Sequence, residues 1–204
     1  MISYGIEFTD KYRKLIDTYI EELLKWNRTV NLIGRSTEEK LLETHIKDSL
    51  ALYPFLENCI CQNIIDIGSG GGIPAVPLSV LLPSKKFYLT ERNSKKLAFL
   101  EFITKKLHIN SCVVDINCGF IFREESVIIS RAYSSTANII KWSKKHAPGC
   151  SRFYLLKGRE DKLLEETGDA DIENFNIVHL EKGSLLIIER HRARSENGMS
   201  IMPG

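Results

Sequence analysis

The sequence lacks the features of membrane and secreted proteins. No apolar run approaches the ~20 residues that a membrane-spanning helix needs. The N-terminus, which starts Met1-Ile2-Ser3-Tyr4, has no basic region followed by an apolar one, so we predict no secretory signal. The five cysteines are odd in number and fit no disulfide framework, which favours free thiols in a reducing compartment. We therefore expect a soluble protein of the cytoplasm.

The sequence also has neither the residue spacing of a metal site nor an exposed apolar stripe. The five histidines are scattered, and none pairs with another at the i, i+4 spacing of a helical metal site, so we predict no metal. No apolar stripe demands a partner, and we expect a monomer. What is present is ordinary for a globular chain: 204 residues, 43% hydrophobic and 26% charged. This length predicts one main domain with a small appendage.

Basic residues are concentrated in two segments, although the net charge is only +2. Residues 81–110 carry 7 basic side chains against 2 acidic ones, and residues 141–160 carry 6 against 1. Such clusters are typical of nucleic-acid binding, but solvated helix faces give the same composition. Charge alone leaves both interpretations open.

The first 60 residues predict a helical cap. Apolar residues from Tyr12 to Leu24 recur at i, i+3, i+4 and i+7, and Thr9 or Asp10 can cap the helix that this pattern predicts. Trp26 is expected to pack in the core there rather than stack on a base. A capping-box pattern at residues 36–39 predicts a second helix over 37–53, ended by Pro54. A unit of this size cannot hold a core alone, so it should pack on the rest of the chain.

From residue 61 to 190, apolar strand-like runs alternate with amphipathic helices. This order predicts an α/β domain with a mostly parallel sheet of six or seven strands, helices on both faces, and a flexible tail over 191–204. The predicted strands are 63–67, 87–90, 112–114, 127–130, 153–156, 176–180 and 185–188, and the predicted helices are 74–82, 93–107 and 136–146.

The most informative string is the loop Asp66-Ile67-Gly68-Ser69-Gly70-Gly71-Gly72, which follows a strand and opens a helix. Such a turn lies at the edge of an α/β sheet where ligands bind. A dinucleotide fingerprint fits formally from Gly70, through Gly72 to Ala75. The acidic-x-Gly-x-Gly-x-Gly motif of S-adenosylmethionine methyltransferases fits from Asp66, whose carboxylate would lie near the cationic amino-acid end of that cofactor.

Glu91 follows the second strand, 23 residues after Gly68. A carboxylate there can accept hydrogen bonds from ribose hydroxyls in either class of protein. Chain length discriminates better, because a dehydrogenase needs a substrate domain and little chain remains after the sheet. The methyltransferase is therefore favoured over a nicotinamide oxidoreductase.

Six motifs in order extend the likeness beyond a generic methyltransferase. Together they resemble the glucose-inhibited division protein B family, bacterial enzymes that methylate N7 of one guanine in 16S ribosomal RNA of the small subunit. The match runs from about residue 12 to 190. The motifs are Trp26-Asn27, Asn31-Leu32, His45-Ile46-Lys47-Asp48-Ser49-Leu50, the loop Asp66–Pro77, Ser130-Arg131-Ala132 and Leu156-Lys157-Gly158. The resemblance implies a Rossmann-like class I methyltransferase domain that uses S-adenosylmethionine.

The resemblance also implies roles for single residues. Gly68, Ser69, Gly70 and Gly72 would line the methionine part of the cofactor, and Glu91 would bind the ribose. On the adenine side, family members usually carry an Arg-x-Glu or similar motif, where this chain has Asn117-Cys118-Gly119-Phe120, so Asn117 is the candidate there. Three further residues match family positions near the cofactor and the RNA: Lys95, Arg131 and Lys157.

Arg131 and Lys157 are the candidate catalytic residues, although N7 of guanine carries no proton and its methylation needs alignment rather than a general base. Both are better assigned to phosphate or base edges than to proton transfer. On residue pattern alone, a surface ion pair for Arg131 and a solvated strand end for Lys157 are the simpler interpretations. His45 and Asp48, three residues apart on a helix, match a motif at the cap junction, and we favour a local hydrogen-bonded pair over catalysis.

Other functions stay open on sequence alone. The chain could methylate another RNA or a small molecule, or it could be a cofactor-binding RNA protein without catalytic activity. The expected partner is 16S ribosomal RNA, either bare or in the small ribosomal subunit.

Overall fold

The computed structural model describes residues 9–34, 45–131, 134–158, 172, 174–181 and 183–190. Within them the chain alternates strands and helices, as predicted. The helices are α1 (Asp10–Val30), α2 (Lys47–Leu50), α3 (Tyr53–Glu57), α4 (Ala75–Leu81), α5 (Ser94–Leu107) and α6 (Thr136–His146). The strands are β1 (Asn63–Ile67), β2 (Lys86–Glu91), β3 (Ser111–Asp115), β4 (Ser126–Arg131), β5 (Cys150–Lys157), β6 (Phe175–His179) and β7 (Ser184–Glu189).

The seven strands form one sheet in the order β3-β2-β1-β4-β5-β7-β6. The first five are parallel to their neighbours, and β7 is antiparallel to both β5 and β6. The predicted α/β class and seven-stranded, mostly parallel sheet are therefore confirmed. The strand order reverses between β1 and β4, which is the point where ligands bind in open α/β sheets.

The sheet is covered on both faces, because successive side chains of a strand point to opposite sides. On one face Ile64 and Phe87 lie in the core that α4 and α5 cover, together with buried residues of α1. On the other face Ile65 and Ile128 pack with Ile139 of α6. Hydrophobic runs in the central strands are thus explained by burial on two sides.

Helix α1 begins where the sequence predicts, with the Thr9 hydroxyl accepting a hydrogen bond from Tyr12 N at 3.2 Å. Its apolar stripe packs on the core of the sheet, and the Trp26 ring lies 5.6 Å from Phe99 and 5.4 Å from Phe102 of α5. The prediction that Trp26 is a packing residue is confirmed. The domain boundaries at 60 and 190 stay predictions.

The predicted helix over 37–53 can be compared with the structure only in part, because residues 35–44 lie outside the described residues. The predicted tail over 191–204 lies outside them as well. The predicted end of the helix is wrong. Pro54 lies in the first turn of α3 instead of ending a helix. A proline in a first turn costs no intrahelical hydrogen bond, so the residue is compatible with the start of a helix as well as with the position after its end.

No helix in the described ranges is long and apolar enough to cross a membrane.

Candidate functional site

Three charged residues converge at the carboxyl edge of the sheet, on the face covered by the cap. Asp66 pairs in register with Leu89 of β2 and with Ile129 of β4, and Glu91 and Arg131 lie two residues beyond these partners. Two residues along a strand restore the same side, so all three side chains share one face. The site predicted from separate parts of the sequence is therefore assembled at the switch point of the sheet.

The glycine loop after β1 has the backbone that its composition predicts. Gly68, Gly70 and Gly72 adopt φ values of 72°, 55° and 89°, a region that favours glycine. A Cβ on Gly72 would lie 2.6 Å from a methyl carbon of Val76, whereas the nearest described atom to a Cβ on Gly70 would be Gly68 O at 3.8 Å. Gly72 is thus required by packing, whereas a Cβ on Gly70 would make only one ordinary contact among the described residues, which leaves space there of the kind a ligand occupies.

Backbone hydrogen bonds fix this loop against the sheet. Ser69 N donates to the Thr90 carbonyl at 2.9 Å, and Gly72 N donates to the Ser69 carbonyl at 2.6 Å. The buried Ser69 hydroxyl donates to the main-chain carbonyl of Asp66 at 3.2 Å. Ser69 therefore shapes the turn, which is a structural role beside the predicted contact with the cofactor.

The carboxyl group of Asp66 is buried beside the glycine loop. Its side chain is 1% exposed, and neither Oδ1 nor Oδ2 has a hydrogen-bond partner among the residues that the structure describes. Burial raises the pKa of Asp66 to about 7; the Ser69 side chain opposes this rise and the nearby charge of Glu91 adds to it. A buried carboxylate needs a partner, and here a cationic ligand group would supply it.

Glu91 accepts main-chain hydrogen bonds on both carboxylate oxygens. Oε1 accepts from Arg92 N at 2.8 Å and from Asn93 N at 3.0 Å, and Oε2 accepts from Gly70 N at 3.1 Å. The carboxylate thus joins the glycine loop to the turn after β2. A carboxylate has about four acceptor positions, so three main-chain bonds leave one for a ribose hydroxyl.

The other predicted cofactor residues lie farther from the glycine loop. Lys95 is exposed in the first turn of α5, where its main-chain N–H donates to the capping side chain of Asn93 at 3.0 Å. Asn117 lies in a short 3₁₀ turn after β3, and its Nδ2 donates to the Arg92 carbonyl at 3.0 Å. Asn117 therefore borders the turn beside Glu91, on the side predicted for the adenine.

Arg131 connects the end of β4 to the cap. Its guanidinium donates to Nδ1 of His45 and lies 3.9 Å from the Asp48 carboxylate. Burial, together with the positive charge of Arg131, lowers the pKa of His45 to about 4, so the imidazole is neutral and can accept this bond. His45 and Asp48 do hold cap and core together, but through Arg131 rather than through the predicted local pair.

Lys157 lies on the opposite face of the sheet from Arg131. Arg131 pairs in register with Leu156, so the next residue of β5 points to the other side. Its Nζ donates to the Ser134 carbonyl at 3.0 Å, in the connection between β4 and α6. The two candidate catalytic residues therefore share the carboxyl edge of the sheet but approach it from different faces.

The basic residues of each segment are spread over both edges of the sheet. Helices α5 and α6 run back from the carboxyl edge, so the basic residues of their last turns lie at the far edge of the sheet. Arg92, Lys95 and Lys96 lie at the carboxyl edge, in the turn after β2 and the first turn of α5. The far-edge group contains Lys105, Lys106, Lys144 and Lys145. Only part of the predicted basic footprint can thus face a substrate at the glycine loop.

Tyr19 is a site residue that sequence reasoning missed. It lies in the apolar stripe of α1, which predicts core packing, yet its hydroxyl donates to the Gly71 carbonyl in the glycine loop at 2.6 Å. A tyrosine within an apolar stripe is a weak signal for a site residue, since its hydroxyl needs a hydrogen-bond partner once it is buried.

Across the described ranges, no three His, Cys, Asp or Glu side chains lie close enough together to bind a metal ion.

Two comparisons with solved structures agree with this fold. A SAM-dependent O-methyltransferase from Thermotoga maritima superposes with a TM-score of 0.61 at 16% identity, covering 87% of this chain and 73% of that one. A structure described as a putative O-methyltransferase from Klebsiella pneumoniae gives a TM-score of 0.60 at 10% identity, covering 88% and 96%. These similarities show the Rossmann-like methyltransferase fold.

Sequence comparisons are more specific. The model of the family described as GidB, rRNA small subunit methyltransferase G, matches residues 12–190. Proteins named ribosomal RNA small subunit methyltransferase G are similar over most of their length. The one from Brachyspira hyodysenteriae is 37% identical over 88% of this chain and 90% of its own, and the one from Salmonella agona is 33% identical over 87% and 84%. The chain therefore belongs to the GidB family of small-subunit ribosomal RNA methyltransferases.

Proposed function

We propose that this protein transfers a methyl group from S-adenosylmethionine to N7 of a guanine in 16S ribosomal RNA. The observation that supports S-adenosylmethionine as the cofactor is the buried Asp66 carboxyl group beside the glycine loop. The family membership supports ribosomal RNA of the small subunit as the substrate, in keeping with the names of the relatives.

The residues of the site fit S-adenosylmethionine. The cationic amino group at its methionine end would give Asp66 the hydrogen-bond partner that its carboxyl group lacks among the described residues. The open space at Gly70 admits a ligand against the backbone, and Glu91 keeps an acceptor position for the ribose. Asn117 borders the same turn, where the adenine is predicted. When bound, the cofactor supplies an electrophilic methyl group on a sulfonium centre.

The chain's own part in the reaction is alignment. Guanine N7 is a nucleophile without a proton, so no side chain has to act as a base, and holding the ring in line with the methyl group supplies the rate gain. We assign this alignment to Arg131, whose contact with His45 engages one of its five N–H donors. It would grip guanine O6 or a phosphate and leave N7 free.

Lys157 is assigned to phosphate. It approaches the carboxyl edge from the face opposite the cap, through the connection between β4 and α6. A lysine at that position would hold the RNA backbone beside the target nucleotide as a point charge, without touching the reacting atoms. The exposed Lys95, in the first turn of α5, would make a separate phosphate contact on the side of the edge that the cap covers.

The test is tritiated methyl transfer from S-adenosylmethionine to three substrates: bare 16S ribosomal RNA, assembled small subunits and a protein control. We expect label in RNA, at a site where borohydride and aniline cleave the chain, because that chemistry reports N7-methylguanosine. Label resistant to this cleavage would refute N7 as the acceptor. Label in protein alone would refute the RNA substrate.

A binding experiment tests the cofactor independently of the substrate. Calorimetric titration should show binding of S-adenosylmethionine and its demethylated product, and no binding of NAD. Gly70→Val should abolish this binding, since a β-branched residue fills the open space and resists positive φ. Tight binding of NAD to the unaltered protein would overturn the assignment of the glycine loop.

A further inference from the structure

Tyr19 joins the helical cap directly to the glycine loop. The side chain is fully buried, and its hydroxyl donates to the Gly71 carbonyl at 2.6 Å. Fifty-two residues separate the two in sequence. The bond therefore runs between the first helix of the chain and the loop that the proposed function assigns to the cofactor.

The packing around Gly71 reinforces this contact. A Cβ on Gly71 would lie 3.0 Å from Cδ1 of Leu23 and 3.5 Å from side-chain atoms of Leu32 and Ile33. Asn27 Oδ1 accepts from Ile33 N at 2.9 Å and so holds the segment after α1 against the loop. Gly71 does not have the positive φ of its glycine neighbours, and the close approach of the cap makes the space for a side chain there tighter than an ordinary contact.

The other described hydrogen bonds of the loop come from the sheet, from within the loop and from helix α4. Ser69 N is held by Thr90 of β2, and Gly70 N is held by Glu91. Tyr19 restrains the Gly71–Gly72 peptide from the side of the cap, through the Gly71 carbonyl. The loop is thus clamped between sheet and cap.

We propose that Tyr19 is a positioning residue that sets the affinity for S-adenosylmethionine by holding the glycine loop in its binding shape. This inference rests on the proposed function, because it assumes that the loop binds that cofactor. If the hydrogen bond only gave the buried tyrosine hydroxyl a partner, its loss would affect folding stability alone. A hydroxyl that fixes the loop affects cofactor binding even where the whole chain stays folded.

The test is the dissociation constant of the demethylated cofactor, S-adenosylhomocysteine, measured by calorimetry well below the unfolding temperature. Tyr19→Phe keeps the ring and removes one hydroxyl. The loop then spends a smaller fraction of time in its binding shape, and the dissociation constant should rise about three- to tenfold. Tyr12→Phe is the matched control, since it removes a buried tyrosine hydroxyl from the same helix two turns away, about 10 Å along the axis.

A raised dissociation constant in Tyr19→Phe with an unchanged one in Tyr12→Phe supports the proposal. Equal constants in both variants and the unaltered protein overturn it, whatever happens to their unfolding temperatures. A failure of the unaltered protein to bind S-adenosylhomocysteine would instead refute the proposed function, so the two failures are distinguishable.

A second pair of variants serves if Tyr19→Phe does not fold. Gly71→Ala pushes the loop away from Leu23 and should raise the dissociation constant. Leu23→Val in the same chain removes the Cδ1 atom at 3.0 Å and should bring the constant back toward that of the unaltered protein. An unchanged constant in Gly71→Ala would overturn the inference.

Discussion

The buried carboxyl group of Asp66 makes the stability of the ligand-free protein depend on pH. Its pKa is raised to about 7 in the folded chain, against 3.8 as the ordinary value, and burial is the main cause. The folded chain therefore binds a proton over a pH range in which the unfolded chain has lost it. The free energy of unfolding falls as pH rises from about 4 through about 7 and levels off above that.

Asp66→Asn removes this titration. The difference between the folded pKa of about 7 and the ordinary value of 3.8 corresponds to about 4 kcal/mol, nearly all of it expressed above about pH 8 and about 1 kcal/mol of it at about pH 4.5. The asparagine variant should therefore gain about 3 kcal/mol relative to the unaltered protein between these two pH values. Any cost of burying the amide is independent of pH, so it shifts the difference without changing its slope.

The assay is urea denaturation followed by circular dichroism across this pH range, without cofactor. Asp17→Asn is the matched control, because Asp17 is an exposed carboxylate on α1 and its removal should leave the curve parallel to that of the unaltered protein. Parallel curves for Asp66→Asn as well would refute the reasoning, since they would show that the carboxyl group is solvated or bonded in the folded chain.

Three further predictions concern the same edge of the sheet. Glu91→Ala removes the acceptor of three main-chain N–H groups as well as the proposed ribose contact, so the cofactor dissociation constant should rise about ten- to a hundredfold, and an unchanged constant in calorimetry would show that the acid points elsewhere. Gly72→Ala places a Cβ 2.6 Å from a valine methyl group at a φ of +89°, and should cost roughly 1–3 kcal/mol of unfolding free energy in urea. Gly70→Ala, with open space at its Cβ, should lower the unfolding free energy less than Gly72→Ala does and weaken cofactor binding more; equal losses of stability in the two variants would contradict these separate roles. Arg131→Ala should reduce the single-turnover methylation rate by about a hundredfold and RNA affinity at two salt concentrations by much less, because alignment is lost while one contact among many is removed; an intact rate would leave Arg131 as a structural link to the cap.

Local patterns decided the architecture and the place of the site. Alternating apolar strands and helices predict a parallel sheet, because only burial on both faces explains strands without polar positions. The spacing of Asp66, Gly68, Gly70 and Gly72 predicts the loop. Positive φ and close approach of the backbone are met by a glycine at a single position, so they can be read from the local sequence. The order of six short motifs identified the family, as the comparisons confirm.

The roles of individual side chains were decided by the tertiary structure. Pro54 fits either end of a helix, and only packing of the cap places it at a start. Arg131 and Lys157 look equivalent as strand-end cations, but strand register puts them on opposite faces. Each basic segment is one stretch of sequence, but its residues are divided between the two edges of the sheet because the helix within it runs back to the far edge.

Tyr19 and Glu91 show the physical reason for this limit. In sequence Tyr19 is one member of an apolar stripe and Glu91 is one acid after a strand. Their hydrogen bonds to Gly71 O and Gly70 N depend on atoms 52 and 21 residues away being brought within about 3 Å. Periodicity and motif spacing are properties of neighbours along the chain, so they predicted the fold and the glycine loop. Contacts between distant residues exist only once the chain is folded, so the clamp on that loop was decided by the tertiary structure.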